Sequence, residues 1–254
     1  MSRLIYVDHI EKTFTTDKGS SFTALKDISI SVEENEFVCI LGPSGCGKST
    51  LLRIISGLEK ATSGKVYYRE EAMDKPSRKI GMVFQNYSLM PWLNVMDNIC
   101  LGLDFAKYPK KKKVEIAEQY LDMIGMKGFE KAFPYELSGG MQQRVAIARA
   151  LANDPDVLLM DEPFGALDAY TRIILQKELL RIWEQHKKTI IFVTHSVDEA
   201  IYLADRIVVM SRNHGQIKKE VTVDIARVRD RANPKYGQLT SELLEDLESM
   251  NLDI

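Results

Sequence analysis

The chain has 254 residues, 45% of them hydrophobic and 28% charged, which is the composition of an ordinary globular protein with a sizeable core. With 34 basic and 36 acidic residues its formal net charge at pH 7 is −2, so electrostatics give no reason to expect nucleic acid as a partner. Three cysteines without metal-ligand spacing favour a reducing compartment, and no apolar run approaches the roughly 20 residues that span a bilayer.

The N-terminal part of the chain has the pattern of β-structure. Apolar residues alternate or cluster over residues 4–10 and 28–32, which predicts two strands, and Phe14 is expected to fall between them. The apolar run 37–41 predicts a further strand, and the residues from Leu51 onward predict a helix. A glycine-rich turn therefore stands between a strand and a helix.

That turn fits the P-loop pattern G-x-x-x-x-G-K-[ST]. Its backbone N–H groups are expected to point at a phosphate, and the helix that follows adds its positive end. Lys48 would reach the terminal phosphates and the Ser49 hydroxyl would bind Mg²⁺. Kinases, GTPases and motor proteins all fit this pattern. The predicted phosphate-binding residues are Gly42, Pro43, Ser44, Gly45, Cys46, Gly47, Lys48, Ser49 and Thr50.

The next part of the chain changes from strand to helix. Residues 65–68 predict a short edge strand, and residues 79–84 predict a better one with Gln85 at its end. From residue 86 to about 134 no convincing strand occurs, which indicates a helical insertion. The run Lys110-Lys111-Lys112-Lys113 opens a helix there, either as a solvated start or as a contact to lipid head groups.

Further along, strands and helices alternate, which predicts a parallel α/β sheet. A helix is expected from Ser138 to Leu151, and another over residues 171–185. The strands are expected at residues 157–160 and 189–193, and Asp161-Glu162 and Thr194-His195 follow them.

The polar groups at these strand ends are expected to form one site, because parallel sheets bind ligands at the carboxyl ends of their strands. The P-loop, Gln85, Asp161, Glu162 and His195 all stand at such ends. Asp161 closes an apolar strand downstream of a P-loop, so we expect it to hold Mg²⁺. Glu162 would then act as the general base that polarises the attacking water.

The segment Leu137-Ser138-Gly139-Gly140-Met141-Gln142-Gln143-Arg144 resembles the signature sequence of the ATP-binding cassette (ABC) family. That family also carries a glutamine after a strand, a Gly-Ala-Leu-Asp turn after the acidic strand and a switch histidine. Gln85, residues 165–168 and His195 match these motifs in family order, and the resemblance covers residues 5–210. It implies an α/β fold: a P-loop NTPase core with a mostly parallel sheet, an N-terminal antiparallel β subdomain and an inserted all-helical subdomain.

The resemblance also implies boundaries within a single ABC ATPase domain over residues 1–254. The core with its β subdomain would comprise residues 1–85 and 155–220, and the helical insertion with the signature residues 86–154. Residues 221–254 would form a C-terminal extension of unassigned role, preceded by a strand at 216–221. The leucines of this extension are spaced for an amphipathic helix, namely Leu239, Leu243, Leu244 and Leu247.

A further implication is a head-to-tail homodimer of cassettes that hydrolyses ATP with Mg²⁺. ATP would lie between the P-loop of one subunit and the signature of the other, where a hydroxyl, backbone N–H groups and a helix N-terminus form a second anion cradle. Met141 replaces the glutamine most often seen at its position, which leaves the other signature donors in place. The nucleotide-binding residues outside the P-loop would be Phe14, stacked on adenine, and Ser138, Gly139, Gly140 and Asp168. The catalytic residues would be Glu162, His195, Gln85 and Lys48, and the metal ligands Ser49, Gln85 and Asp161.

Within the family, residues 84–99 and 195–211 resemble import cassettes for nitrate, sulfonate, taurine and related solutes. This implies that the region from Tyr87 to Ile99 receives a helix of a membrane permease, with Pro91-Trp92 expected to be partly buried. The protein would then be peripheral on the cytoplasmic side of the cell (inner) membrane, with an extracytoplasmic solute-binding protein as an indirect partner.

Two alternatives stay open. The apolar residues after Gln85 could instead pack the insertion onto the core, and the chain could be a soluble ABC-type ATPase that acts on nucleic acid or ribosomes without a permease. The near-neutral charge disfavours nucleic acid, and the chain has no room for the long coiled coil or second cassette usual in that class. The solute itself is not encoded here, because selectivity belongs to the binding protein and the permease.

Overall fold

A computed structural model describes residues 3–16, 19–212 and 214–252, the side chains of residues 251 and 252 apart. The described residues divide into two units, which we describe separately. The first comprises those of Met1–Ser77 and Thr189–Ile254, and the second is Arg78–Lys188. The boundaries expected for a core, an insertion and a C-terminal extension remain predictions.

The elements are numbered along the chain. The strands are β1 (Arg3–Thr15), β2 (Ser21–Glu33), β3 (Phe37–Leu41), β4 (Ser63–Tyr68), β5 (Glu71–Met73), β6 (Ile80–Val83), β7 (Val157–Asp161), β8 (Thr189–Thr194), β9 (Arg206–Met210) and β10 (Ile217–Thr222). The helices are α1 (Lys48–Ile55), α2 (Val95–Phe105), α3 (Lys110–Met123), α4 (Gly139–Leu151), α5 (Ala169–His186), α6 (Val197–Leu203) and α7 (Pro234–Leu252), and Pro134–Glu136 form a 3₁₀ turn.

An antiparallel sheet of order β2-β1-β4-β5 forms the N-terminal part of the first unit, as predicted. Two details of the prediction were wrong. Phe14 lies inside β1, where it pairs with Phe22, rather than between two strands. β4 is not an edge strand, because β5 pairs with it on the far side. The outer ends of the β1–β2 hairpin are largely exposed, so they lack the apolar alternation that reveals a strand in a sequence.

Gly64 lies where β4 pairs with an irregular part of β1. The register between the two strands shifts between Asp8 and Glu11, and Gly64 has a φ of +82° there. A Cβ on Gly64 would lie 2.3 Å from the His9 carbonyl oxygen and 2.5 Å from that of Asp8. Both the backbone conformation and the close approach therefore require glycine.

We expect Gly64→Ala to lower the free energy of unfolding by about 3 kcal/mol or more, because it combines left-handed strain with a clash against backbone. Chemical denaturation measures this loss. Gly128→Ala is the matched control, since Gly128 has a φ of +91° but no described atom within 4 Å of the added Cβ. The control should cost about 1 kcal/mol. Equal losses in the two variants would contradict the close-approach argument.

The second sheet of the first unit is mostly parallel. β3 pairs in parallel with β8 and β9, and β10 pairs antiparallel to β9. Every residue of β3 and β8 is buried, as expected for strands covered on both faces. These buried strands therefore fix the positions of the residues that directly follow them.

The second unit contains a parallel pair, β6 and β7, together with four helices. Residues 86–134 contain no strand, as predicted. Helices α2, α3 and α4 share an apolar core to which Ile99, Leu121 and Val145 contribute. The helix predicted over residues 171–185 is confirmed as α5, whose apolar side chains Leu175, Leu179, Ile182 and Trp183 are all buried.

The predicted C-terminal helix is confirmed as α7, but its buried side differs from the predicted set. Leu243 is fully buried, whereas Leu244 is 45% exposed. Among the described side chains of α7, Tyr236 and Met250 are also buried, seven residues before and after Leu243. None of the helices in the described part of the chain is long and apolar enough to cross a membrane.

Candidate active site

The P-loop has the strand–turn–helix geometry that its sequence predicts. It joins β3 to α1, and Gly45 and Gly47 have φ values of +80° and +97°. A Cβ on Gly47 would lie 2.6 Å from the Ala24 carbonyl oxygen, so a larger residue does not fit. Gly45 faces open space among the described residues, which leaves room for a ligand at the loop.

Lys48, the first residue of α1, is 4% exposed and lies against the loop. Its ammonium group donates to the Gly42 carbonyl oxygen at 2.8 Å and to that of Pro43 at 2.9 Å. The positive charge is therefore held at the start of a helix, where the orphan backbone N–H groups also favour an anion. This is the arrangement that a phosphate-binding site requires.

His195 emerges at the same edge of the sheet as the P-loop. The parallel register of β3 and β8 pairs Leu41 with Thr194, so Gly42 and His195 follow directly from paired residues. His195 is exposed and precedes Ser196, whose hydroxyl accepts from the Glu199 N–H at the start of α6. The predicted neighbourhood of P-loop and histidine is thus present in the first unit.

The second unit has a corresponding edge. The register of β6 and β7 pairs Val83 with Met160, so Gln85 and Glu162 both stand two residues beyond a paired position. Asp161 ends β7 and is 4% exposed, and Gln85 is exposed. The carboxylates and the amide predicted from the strand ends are therefore grouped at one end of this pair.

The backbone at Glu162 has a feature that the sequence did not reveal. Its φ is +40°, which is uncommon for a residue with a Cβ. The Glu162 carbonyl oxygen accepts from the Gly165 N–H at 3.1 Å, and this bond closes the turn that follows. Other described residues, such as Asp154 and Lys187, also have a positive φ, so it is the position of Glu162 directly after β7 that indicates a functional role.

The signature segment begins α4. Ser138 is the exposed N-cap, and its hydroxyl accepts from the Met141 N–H at 3.4 Å. A Cβ on Gly140 would lie 2.8 Å from the Thr171 methyl group, so this glycine is also needed for the approach of α4 to α5. The Met141 side chain packs against the core of the helices, which explains an apolar residue at this position.

Asp168 caps the start of α5. Its carboxylate accepts from the backbone N–H groups of Thr171 at 3.0 Å and Tyr170 at 3.1 Å. These bonds, first those from Thr171, hold the pKa of Asp168 below its usual range. The carboxylate therefore acts as the N-cap of α5.

The loop after Gln85 is held by two residues that the sequence analysis did not single out. Arg149 of α4 donates to the carbonyl oxygens of Tyr87 at 2.8 Å and Ser88 at 2.6 Å, and burial lowers its pKa. Asn98 of α2 is fully buried and bonds to the backbone of Met90 in both directions. No sequence pattern predicts that an arginine or a buried asparagine will form hydrogen bonds to the backbone of a particular loop.

The exposure of Trp92 differs from what the sequence predicted. We expected it to be partly buried, but its side chain is 71% exposed on the fixed loop, and Pro91 beside it is exposed as well. Tyr87 and Met90 are half-buried, and Leu89 packs against the core of the helices. An exposed tryptophan on a rigid loop is the kind of residue that marks an interface.

Phe14 is 40% exposed in β1, and the Lys12 ammonium lies 4.7 Å from the centre of its ring. The exposed face leaves area on which a planar base could stack. Its predicted contact with adenine is a proposal.

The predicted donors suit ATP and Mg²⁺ chemically. Ser49, Gln85 and Asp161 offer oxygen atoms, which Mg²⁺ prefers, and a set with a single carboxylate suits a metal held chiefly by phosphates. The described residues contain no group of three or more His, Cys, Asp or Glu side chains placed to hold a metal ion. The loop with Lys48 has the charge and the N–H groups that phosphates require.

Comparisons with known proteins show which family the chain is similar to. A family model described as ABC transporter matches residues 25–165. An uncharacterised ABC transporter ATP-binding protein of Methanocaldococcus jannaschii is 52% identical, over 95% of this chain and 90% of its own length. An aliphatic sulfonates import ATP-binding protein of Bacillus thuringiensis is 46% identical over 96% of each chain. A nitrate import ATP-binding protein of Synechococcus elongatus is 43% identical, over 96% of this chain and 91% of its own length.

Among solved structures, a dimeric ATP-binding cassette in a post-hydrolysis state with ADP and Pi is similar. Its TM-score is 0.77 at 36% sequence identity, and the match covers 87% of this chain and 99% of that one.

Proposed function

The chain belongs to the ABC transporter family and hydrolyses ATP, and from this premise we propose that it is the ATPase subunit of an importer. In this role it couples closure of a cassette dimer and ATP hydrolysis to uptake of a small solute through a separate membrane permease. The observation that carries the proposal is the placement of polar groups at the carboxyl ends of paired parallel strands within each unit. These groups are the P-loop and His195 in the first unit, and Gln85, Asp161 and Glu162 in the second. The relatives named as importers of sulfonates and nitrate support the solute class.

The residues have the following proposed roles in hydrolysis. The loop amides and Lys48 bind the phosphates and stabilise the charge that develops on them. Glu162 accepts a proton from the attacking water, and Gln85 orients that water. His195 contacts the γ-phosphate. Ser49, Gln85 and Asp161 hold Mg²⁺, which neutralises phosphate charge when it is bound.

The functional assembly is a head-to-tail homodimer, in which Ser138, Gly139 and Gly140 bind the nucleotide of the other subunit. The solved cassette with the similar fold is described as a dimer, which supports this arrangement. To shift the ratio of closed to open dimer from 1:99 to 99:1, the nucleotides must bind the closed form more tightly by about 5.5 kcal/mol in total. Two nucleotides held by several charged donors are able to supply half of that each.

The loop with Trp92 is proposed to dock the permease, on the cytoplasmic face of the membrane. Its exposure, and the bonds from Arg149 and Asn98 that fix the loop, are what a preformed docking surface needs. An extracytoplasmic solute-binding protein would then act on the permease, and only indirectly on this chain. A nucleic-acid partner is not favoured, because the chain is nearly neutral and the relatives from Bacillus thuringiensis and Synechococcus elongatus are named as import proteins.

We expect Trp92→Ala to reduce recovery of a multi-spanning permease with the tagged chain by about tenfold, since buried aromatic anchors dominate such interfaces. Co-purification from detergent-solubilised membranes of the source cells measures this. Tyr135→Ala is the matched control, because Tyr135 is 77% exposed in the same unit but lies outside the loop. Equal recovery with both variants would remove Trp92 from the interface. Association of the chain with nucleic acid, and never with membranes, would contradict the importer.

A further inference from the structure

The C-terminal part of the first unit holds α6 at both of its ends. Three arginines at alternate positions contact this helix, and so does a tyrosine in the first turn of α7. We call these four residues the brace: Arg227, Arg229, Arg231 and Tyr236. No role was assigned to this part of the chain from its sequence.

Two of the arginines bind the C-terminal end of α6. Arg227 donates to the Leu203 carbonyl oxygen at 2.6 Å, and Arg229 donates to those of Ile201 at 2.8 Å and Tyr202 at 3.1 Å. The last carbonyls of a helix lack partners within it and carry the negative end of its dipole, so guanidinium groups stabilise them. Burial, with the nearby charge of Arg227, lowers the pKa of Arg229 to about 10, which leaves it protonated at neutral pH.

The other two residues bind the N-terminal end of α6. Arg231 forms a bidentate pair with the Asp198 carboxylate, with Nε to Oδ1 at 2.7 Å and Nη2 to Oδ2 at 2.8 Å. The Tyr236 hydroxyl donates to the same Oδ1 at 2.7 Å. The Arg231 guanidinium also lies 4.2 Å from the centre of the Tyr202 ring. Bidentate, charge-assisted bonds of this kind fix orientation as well as distance.

Asp198 lies three residues after His195, and the turn between them is tied to α6 on both sides. The Ser196 N–H donates to the Thr194 hydroxyl at 3.0 Å, and that hydroxyl donates to the buried Glu199 carboxylate. The Ser196 hydroxyl in turn accepts from the Glu199 N–H. The backbone that carries His195 therefore has little freedom to move independently of α6.

We propose that Arg231 and Tyr236 are positioning residues, which act through Asp198 and α6 to hold His195 in the orientation that ATP hydrolysis requires. This inference rests on the proposed contact between His195 and the γ-phosphate. It gives the C-terminal segment a part in turnover rather than in nucleotide binding, because none of its four brace residues belongs to the P-loop.

The test compares Arg231→Met and Tyr236→Phe in the purified full chain. Both variants keep apolar volume and remove the bonds to Asp198. We expect each to lower kcat of ATP hydrolysis by about tenfold, since small misplacements of a contacting group have effects of this order or larger. KM for ATP should stay within about twofold, because the P-loop is untouched. Arg231→Lys keeps the positive charge but not the bidentate guanidinium, so its kcat should lie between those of Arg231→Met and the unmodified chain.

Arg69→Met is the matched control. Arg69 also pairs with a carboxylate, that of Glu34 at 3.0 Å, and its guanidinium lies 5.8 Å from the Tyr68 ring centre, but it belongs to the turn between β4 and β5. It should leave kcat unchanged. A direct readout of position is the His195 ring resonance, which can be assigned by mutation among only four histidines. We expect this resonance to shift in Arg231→Met and to keep its position in Arg69→Met.

The outcomes separate the inference from the function on which it rests. If His195→Ala lowers kcat but Arg231→Met and Tyr236→Phe leave both kcat and the His195 resonance unchanged, the brace is merely structural and the inference fails. If His195→Ala itself leaves kcat unchanged, the proposed role of His195 fails first, and the inference fails with it.

Discussion

Glu162→Gln is expected to lower the rate of ATP hydrolysis by about a hundredfold or more, while ATP binding persists. The glutamine keeps the size of the side chain and its hydrogen-bonding capacity, but an amide cannot accept the proton of the attacking water. General-base catalysis contributes about 10²- to 10⁴-fold to such reactions. The uncommon φ of +40° at this residue suits a side chain that is held toward a reacting group.

The same variant should accumulate as an ATP-bound dimer, because closure requires ATP and reopening requires its hydrolysis. Phosphate release measures the rate, and size-exclusion chromatography with ATP measures the dimer. Glu118→Gln is the control, since Glu118 is exposed on α3 of the same unit and should change neither quantity. Hydrolysis by Glu162→Gln at the unmodified rate would exclude Glu162 as the base and leave the other proposed roles to be tested separately.

The sequence was most informative where burial and chain direction coincide. The predicted apolar run Phe37–Leu41 is β3 to the residue, because a strand covered on both faces by the fold must be apolar throughout. The residue after such a strand is then fixed in place, which is why the P-loop and His195 could be predicted together. Their neighbourhood follows from the parallel register alone.

The sequence was least informative where polar side chains contact backbone far along the chain. Arg149 holds the loop that presents Trp92, and Arg229 holds the end of α6, yet both arginines bind carbonyl oxygens, which every residue possesses. No pattern of residue types specifies such a bond. The exposed part of β1 around Phe14 escaped prediction for the complementary reason, since solvent covers it and burial imposes no alternation.

The buried strands and the segments held by arginines have different roles in our proposals. The buried strands place the groups that we propose to contact the phosphates. His195 and Glu162 each follow directly after the end of a strand, and the P-loop begins directly after β3. The arginine-held segments place α6 and the loop after Gln85, which in our proposals orient His195 and contact the permease. The proposed catalytic groups are therefore specified by local sequence, whereas the proposed coupling to the permease and the orientation of His195 depend on hydrogen bonds between residues tens of positions apart.

Lys48→Met is expected to weaken ATP binding by about 10- to 100-fold, with a corresponding loss of hydrolysis at subsaturating ATP. A hydrogen bond to a charged group contributes about 1.5–3 kcal/mol, and each 1.4 kcal/mol is about tenfold in affinity. The ammonium is already held at the loop by the carbonyl oxygens of Gly42 and Pro43, so little ordering is needed when phosphate binds. Methionine keeps most of the length of the lysine side chain but removes its positive charge.

Titration calorimetry with ATP and Mg²⁺ measures the affinity of this variant, and thermal unfolding without nucleotide separates it from an effect on folding. Because the two bonds to the loop are also lost, some loss of Tm is compatible with the argument, provided that the added stabilisation by ATP falls as well. Lys65→Met is the control: Lys65 is exposed on β4, so its removal should leave Kd unchanged. If Lys48→Met bound ATP within twofold of the unmodified chain, the loop amides and the helix N-terminus alone would account for phosphate binding, and Lys48 would act only in closing the loop.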